Sequence, residues 1–228
     1  MARPEVDISK GGSMEVTLSR HTRNNLSGDI LRQLELLYAS AYFGSEMFDS
    51  LLEDVREAPE IFQLFLATVA TDRIVGARVI ELKHHSFFAY HGHHPVHGKR
   101  FCVAPEFRRQ GIGKRLIAEG RRFCFDELKL KVLFGESNEV GALALHGREG
   151  ALFSSQSIEL HSPRNRPEEN LAYFARFFAD PRFRTYRLPI GEGVQFVHCR
   201  DEEIAAAFRK RGYVSSAELL ARTKSGSA

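Results

Sequence analysis

Two glycines one residue apart, Gly111 and Gly113, stand among Arg108, Arg109, Gln110, Ile112, Lys114 and Arg115 in the stretch RFCVAPEFRRQGIGKRLI, residues 100–117. An apolar run that ends in a glycine turn and passes directly into an amphipathic helix leaves the first N–H groups of that helix without intrahelical acceptors. Those donors and the positive end of the helix macrodipole favour an anion. Without a Cβ, the glycines let phosphate oxygens approach the main chain closely. The spacing is not GxxxxGK[ST], because the loop is short and no hydroxyl follows Lys114; nor is it GxGxxG, because Leu116 occupies the third glycine's place. Between residues 99 and 122, Lys99, Arg100, Arg108, Arg109, Lys114, Arg115, Arg121 and Arg122 are opposed only by Glu106 and Glu119. Basic residues alone read as a solvated helix face. The glycines at the junction shift the reading to a polyphosphate ligand.

Other residues with reactive side chains are less informative alone. His91, His93, His94 and His97 precede the apolar run. A zinc site among the first three is disfavoured, since no Cys or carboxylate lies nearby to complete four ligands. No metal is expected. Cys102, inside the apolar run, reads as a small packed hydrophobe rather than a nucleophile.

The elements that must position these residues follow from periodicity and turn chemistry. Residues 1–13 lack periodicity and read as a flexible lead-in. MEVTLSRHT alternates as a first strand, and Ser27, Gly28 and Asp29 open a helix. A second helix spans about Ser45 to Glu57. Two β-rich runs flank Thr71, Asp72 and Arg73 as a hairpin. KHHSFFAYHGHHPVHGKR is expected to be a loop, RFCVA a strand, and Ile112 to Leu128 a helix. KVLFGES reads as a short buried strand, EVGALALHGREG as a helix closed by Gly150, and ALFSSQSIEL as another strand. Beyond Pro163 the expected order is a helix (NLAYFARFFAD), strands RTYRLPI and GVQFVHC, a helix (DEEIAAAFRKRG) and a last strand (YVSSAELLA). The pattern is mixed α/β with hairpins rather than a doubly wound sheet.

At 228 residues, with 43% hydrophobic and 27% charged residues, the chain has the composition of a soluble globular domain. Its formal charge of +3 is too small to imply nucleic-acid binding. No run is long and apolar enough for a membrane span, and the start lacks the pattern of a signal peptide. Cys102, Cys124 and Cys199 form no CxxC pair, which favours a reducing, cytoplasmic setting.

VAPEFRRQGIGKRLI closely resembles the acyl-CoA-binding motif of the GNAT N-acetyltransferase superfamily, [RQ]-x-x-G-x-[GA] after a strand ending V-x-P, with Arg108, Gly111 and Gly113 in the fixed places. The order of elements over about residues 14–160 resembles that family too. The resemblance implies a central mixed, largely antiparallel sheet flanked by helices, with residues 161–228 as a C-terminal extension packing on or completing the core. It implies that main-chain amides from Arg109 to Lys114 hold the pyrophosphate of coenzyme A, that the strand through Cys102 and Val103 pairs with the pantetheine arm, and that acetyl-CoA is the co-substrate. Asn138 resembles a family position that contacts the cofactor, one residue out of register.

Acyl transfer to an amine needs a proton acceptor, donors for the oxyanion and a proton for the departing thiolate. The resemblance assigns the oxyanion to the N–H of Val103 or a neighbour. The family's LYxxxGF segment, which carries the acid as tyrosine, reads LHGREGA here, placing His146 where the tyrosine would be. AAFRKRGYV at 206–214 fits the same pattern but offers only Phe208. In the arylalkylamine acetyltransferase branch, histidines just before and on the motif strand act as base or water relay; His97 matches one such place, and Lys99 stands at the other. Tyr38, Tyr42, Phe43 and Phe48 fall where the family admits its acceptor, a region that core packing explains equally well. The leading expectation is direct acetyl transfer from acetyl-CoA to a primary amine on a small molecule or peptide. The alternatives are a related synthase taking longer acyl groups from acyl-CoA or acyl carrier protein, and a catalytically silent acyl-CoA sensor. A homo-oligomer contact is one role open to residues 161–228.

Overall fold

The structure is a computed structural model that describes residues 15–42, 46–57, 62–70, 72–82, 96–160 and 193–225, with residues 171, 174–176, 178–180, 182–183 and 187–188 between the last two segments. Its frame is an eight-stranded sheet in the order β1-β2-β3-β4-β5-β7-β6-β8. The strands are β1 (Val16–His21), β2 (Phe62–Val69), β3 (Ile74–Leu82), β4 (Val96–Val103), β5 (Val132–Ser137), β6 (Leu152–Ser154), β7 (Val194–Cys199) and β8 (Tyr213–Ser215). Every pairing is antiparallel except β4 with β5.

Helices cover both faces. α1 (Gly28–Tyr42) and α2 (Glu46–Glu57) lie on one, and α3 (Ile112–Arg122) lies on the other, its last turn widening through Phe123–Glu127. The run FQLFLATV is almost wholly apolar because both of its faces are buried. Phe62, Leu64 and Leu66 pack with Leu34, Tyr38 and Leu51 of α1 and α2, while Phe65 and Ala67 pack with Ile112 and Leu116 of α3. α4 (Val140–Arg148) follows β5 directly. Beyond it come α5 (Ser155–Leu160), α6 (Glu202–Arg209) and α7 (Ser216–Ser225). Asp201 caps α6 by accepting from the Ile204 amide at 3.0 Å.

Four expectations differ from the structure. ALFSSQSIEL was expected as a strand, but only Leu152–Ser154 is extended and Ser155 starts α5. YVSSAELLA was also expected as a strand, yet it divides into β8 and α7. In both segments a serine stands at the first helical position and polar contacts close the helix start: Ser154 Oγ accepts from the Ser157 amide at 3.3 Å, and Glu218 accepts from the Ser215 amide at 2.6 Å. The motif strand begins at Val96 rather than Arg100, so His97 and Lys99 are strand residues, not loop residues. The continuous helix expected to Leu128 keeps its α geometry only to Arg122. The histidines at 91, 93 and 94 and most of RTYRLPI lie outside the described residues. No described helix is long and apolar enough to cross a membrane.

Candidate acyl-CoA site

The chain leaves β4 through a single turn at Pro105–Phe107 and reaches α3 through two left-handed residues, Arg109 (φ 66) and Gly111 (φ 81). The left-handed conformation costs a non-glycine residue energy, so Gly111 is suited to its place and Arg109 is strained in its own. The first α-helical hydrogen bond runs from the Arg115 amide to the Gly111 carbonyl at 3.1 Å. Among the described residues, no protein acceptor takes the amides of Arg109, Gln110, Gly111, Ile112, Gly113 or Lys114. Nothing lies within 4 Å of where a Cβ on Gly111 would stand. Consecutive free amides in this conformation form a concave anion cradle, aligned with the start of α3.

The side chains of the turn mostly bind the turn itself. Arg108 Nε donates to the Val103 carbonyl at 3.0 Å, and Gln110 Nε2 donates to the Glu106 carbonyl at 3.3 Å. The main chain therefore carries the donors that face outward. The close approach expected at Gly113 goes to the protein instead: a Cβ there would stand 2.8 Å from Leu145 and 3.1 Å from Phe101, so this glycine lets α3 sit against α4 and β4. The amide of Gly113 is left without a protein acceptor among the described residues. The basic cluster also divides. Arg121 donates to the Glu149 carbonyl, Arg122 pairs with Glu119 and Glu127, and Lys114 lies 3.8 Å from Glu149. Arg109 and Arg115 pair with nothing among the described residues.

β4 and β5 pair only at His97 with Phe134 and Gly98 with Gly135, and beyond those rungs the strands part. The parting has a local cause. Ala77 opposes Cys102 and Val79 opposes Lys99, so Arg100 and Phe101 of β4 face the single residue Arg78 of β3. This is a β-bulge, with Arg100 at φ 50. Tyrosines of α1 satisfy the bulged carbonyls: Tyr38 Oη donates to Arg100 at 3.1 Å, and Tyr42 Oη donates to Phe101 at 2.6 Å. Burial pushes both phenols up, keeping them protonated as donors. A cavity of about 370 Å³ fills the split. Its lining includes Tyr42, His97, Arg100, Phe101, Asn138 and His146, which brings three of the residues expected in the site, His97, Asn138 and His146, to one space.

Toward α2 the cavity wall is ionic. Lys99 Nζ lies 2.5 Å from Glu81 and 2.7 Å from Asp54, and Arg100 also pairs with Asp54 and donates to Ser50. Burial would raise the Asp54 carboxyl, but hydrogen bonds from Lys99 and Arg100 bring it below the usual carboxylate range. Lys99 and Arg100, part of the basic run between residues 99 and 122, are thus engaged by Asp54 and Glu81 rather than left for a polyphosphate. Asp54 and Glu81 left no local signal in the sequence, because 18 residues separate Glu81 from Lys99 and 46 separate Asp54 from Arg100.

His146 on α4 is buried, with Nδ1 2.9 Å from His198 Nε2 and its ring stacked on Phe196 at 4.1 Å. Burial, then His198, then Arg78, hold its proton affinity well below that of a free imidazole. Cys102 is buried between β3 and α1, and burial pushes its thiol up to about 12, so a thiolate is not available there. Among the described residues, no group of three His, Cys, Asp or Glu could hold a metal ion.

The model of the acetyltransferase (GNAT) family matches residues 29–151, more than half of the chain. The chain belongs to the GNAT acetyltransferase family. Acetyl-CoA is the co-substrate that goes with membership, and the free amides, the open left-handed glycine and the parted strands fit a diphosphate and the thioester arm behind it. Solved structures share the GNAT fold at low identity. The N-acetyltransferase YhbS from Escherichia coli, solved in complex with CoA, superposes with a TM-score of 0.52 at 16% identity, over 85% of this chain and 86% of that one. A GNAT acetyltransferase from Staphylococcus aureus Mu50 gives 0.53 at 12%, over 82% and 100%. A spermidine N-acetyltransferase SpeG chimera from Vibrio cholerae and hSSAT gives 0.51 at 14%, over 83% and 98%. No curated protein matches the sequence significantly.

Proposed function

We propose that this GNAT protein transfers an acyl group, acetyl in the simplest case, from acyl-CoA to a primary amine by direct attack. One observation carries the reading: a row of amides without protein acceptors stands at the β4–α3 junction, and Phe101, which a Cβ on Gly113 would approach to 3.1 Å, lines the cavity between β4 and β5. When bound, acetyl-CoA supplies an acyl thioester whose C–S bond is exchanged for a C–N bond. The amides from Arg109 to Lys114 hold its diphosphate, with Arg109 and Arg115 screening the remaining charge. Cys102 and Val103 run beside the pantetheine arm through their main chain, and Asn138 lines the facing wall. The amine enters from the side of α1 and α2, past Tyr42 and Met47.

His97 of β4, in register with Glu81 of β3, is the proton acceptor for the incoming ammonium, directly or through a water. His146 stands at the leaving-group side with Nδ1 engaged by His198, so Nε2 is the ring nitrogen open to the ligand. Because burial keeps this imidazole neutral, it orients the sulfur by a hydrogen bond and is no reservoir of imidazolium. The thiolate then takes its proton as the amine gives one up.

Thiol release from acetyl-CoA, measured across polyamines, amino acids, aminoglycosides and peptide N-termini, tests the reading. Turnover with at least one amine is expected, reduced about 100-fold or more in His97→Ala with CoA binding retained. Tight CoA binding without turnover on any amine would make the chain an acyl-CoA sensor instead.

A further inference from the structure

The closed end of the split contains a buried cation that acetyl transfer does not use. Arg78, on β3 opposite the bulge, is 1% exposed and lines the cavity where Gly98 and Gly135 bring β4 and β5 together. Room has been made for its guanidinium twice. A Cβ on Gly98 would stand 2.8 Å from Nη2, and one on Gly120 of α3 would stand 3.1 Å from Nη1. No carboxylate answers it among the described residues. Its acceptors there are the Leu116 and Ile117 carbonyls, 3.5 and 3.3 Å from Nη1, and Nε has none. His198, with Nδ1 also lacking a partner, and His146 add no negative charge. Burial lowers the guanidinium only to about 10, so the group is a cation at neutral pH.

A buried charge without a counter-charge is costly unless a ligand completes it. Arg78, Phe101 and His146 lie on the face of the sheet that carries α3 and its amide cradle. Resting on the function proposed above, a thioester arm running from that cradle along the split points its acyl end at Arg78. We propose that the acyl pocket accepts, alongside acetyl, a short acyl group ending in a carboxylate, of the size of a succinyl thioester, with the carboxylate on Arg78. The amine still attacks the thioester carbonyl, and the distal carboxylate takes no part in bond making.

Calorimetric titration of the full chain with CoA, butyryl-CoA and succinyl-CoA tests this, because the two acyl groups match in length and differ in charge. Succinyl-CoA is expected to bind about tenfold tighter than butyryl-CoA. Arg78→Met should abolish that preference while CoA affinity stays, and Arg78→Lys should keep part of it. Should Arg78→Met fail to fold, the wild-type comparison decides alone. CoA binding with equal affinity for the two thioesters overturns the proposal and leaves Arg78 as a strut between α3 and the sheet. Absence of CoA binding overturns the acyltransferase reading on which it rests.

Discussion

At His146, imidazole chemistry is set by the surroundings rather than by the side chain's usual proton affinity. The tyrosine of the family motif carries a hydroxyl that is protonated at neutral pH; His146 and His198 form a buried pair that is neutral there. Burial depresses both, with His198 next acting on His146 and Arg78 on His198. Below about pH 6.5 the unfolded chain binds protons at these rings that the folded chain does not, so stability rises with pH through that range. The stabilisation is complete above the unfolded value and is lost as pH falls toward the depressed folded values. Thermal unfolding should therefore be nearly flat in pH above 7 and should fall toward pH 5.5. A His146→Phe, His198→Leu double variant should show a smaller fall over the same range. An unchanged profile would show that the pair is not held neutral. Sequence placed His146 correctly on the helix after β5, but its partner is 52 residues away and left no local signal.

The bulge of β4 is the element on which the cleft depends, and it is held from outside the strand. Tyr38 and Tyr42 take its carbonyls, while Asp54 of α2 takes Lys99 and Arg100. The side chains of Asp54 and Lys99 are only 12% and 13% exposed, so their attraction is poorly screened. Asp54→Asn leaves Arg100 without its counter-charge and should cost about 3 kcal/mol in denaturant unfolding. It should also weaken turnover more than CoA binding, because the amide cradle lies beyond the bulge. A cost under about 0.5 kcal/mol would mean that the network behaves as an exposed one. Periodicity announced β2, β3, β5, α3 and α4, and the strand–glycine–helix junction was legible from its residues. The bulge was not, because it arises from two residues facing one across a sheet register. The starts of α5 and α7 were hidden by β-branched and aromatic residues just before them.

On the scale of the whole molecule, the sheet is completed by a strand that comes late in the chain. β7 (Val194–Cys199) lies between β5 and β6, so residues beyond the family-matched segment pair with both. A fragment ending at residue 160 would leave Val132–Ser137 and Leu152–Ser154 with unpaired edges and Phe134 and Phe153 uncovered. It should be recovered as aggregate or as a state without cooperative unfolding. A monomeric fragment that unfolds cooperatively and binds CoA would show that the extension is dispensable. The strand character of GVQFVHC was legible in sequence. Its insertion was not, since no local pattern states which strands a segment will separate.

The most direct test of the account is calorimetric titration of coenzyme A into the wild-type chain and into Gly111→Val. A branched side chain is strained at φ 81 and shifts the amides out of their shared concave surface, while its Cβ would meet no neighbour within 4 Å. The account predicts saturable one-to-one binding by the wild type and a loss of about 100-fold or more in the variant, with the fold retained. Equal affinity in both proteins would contradict it.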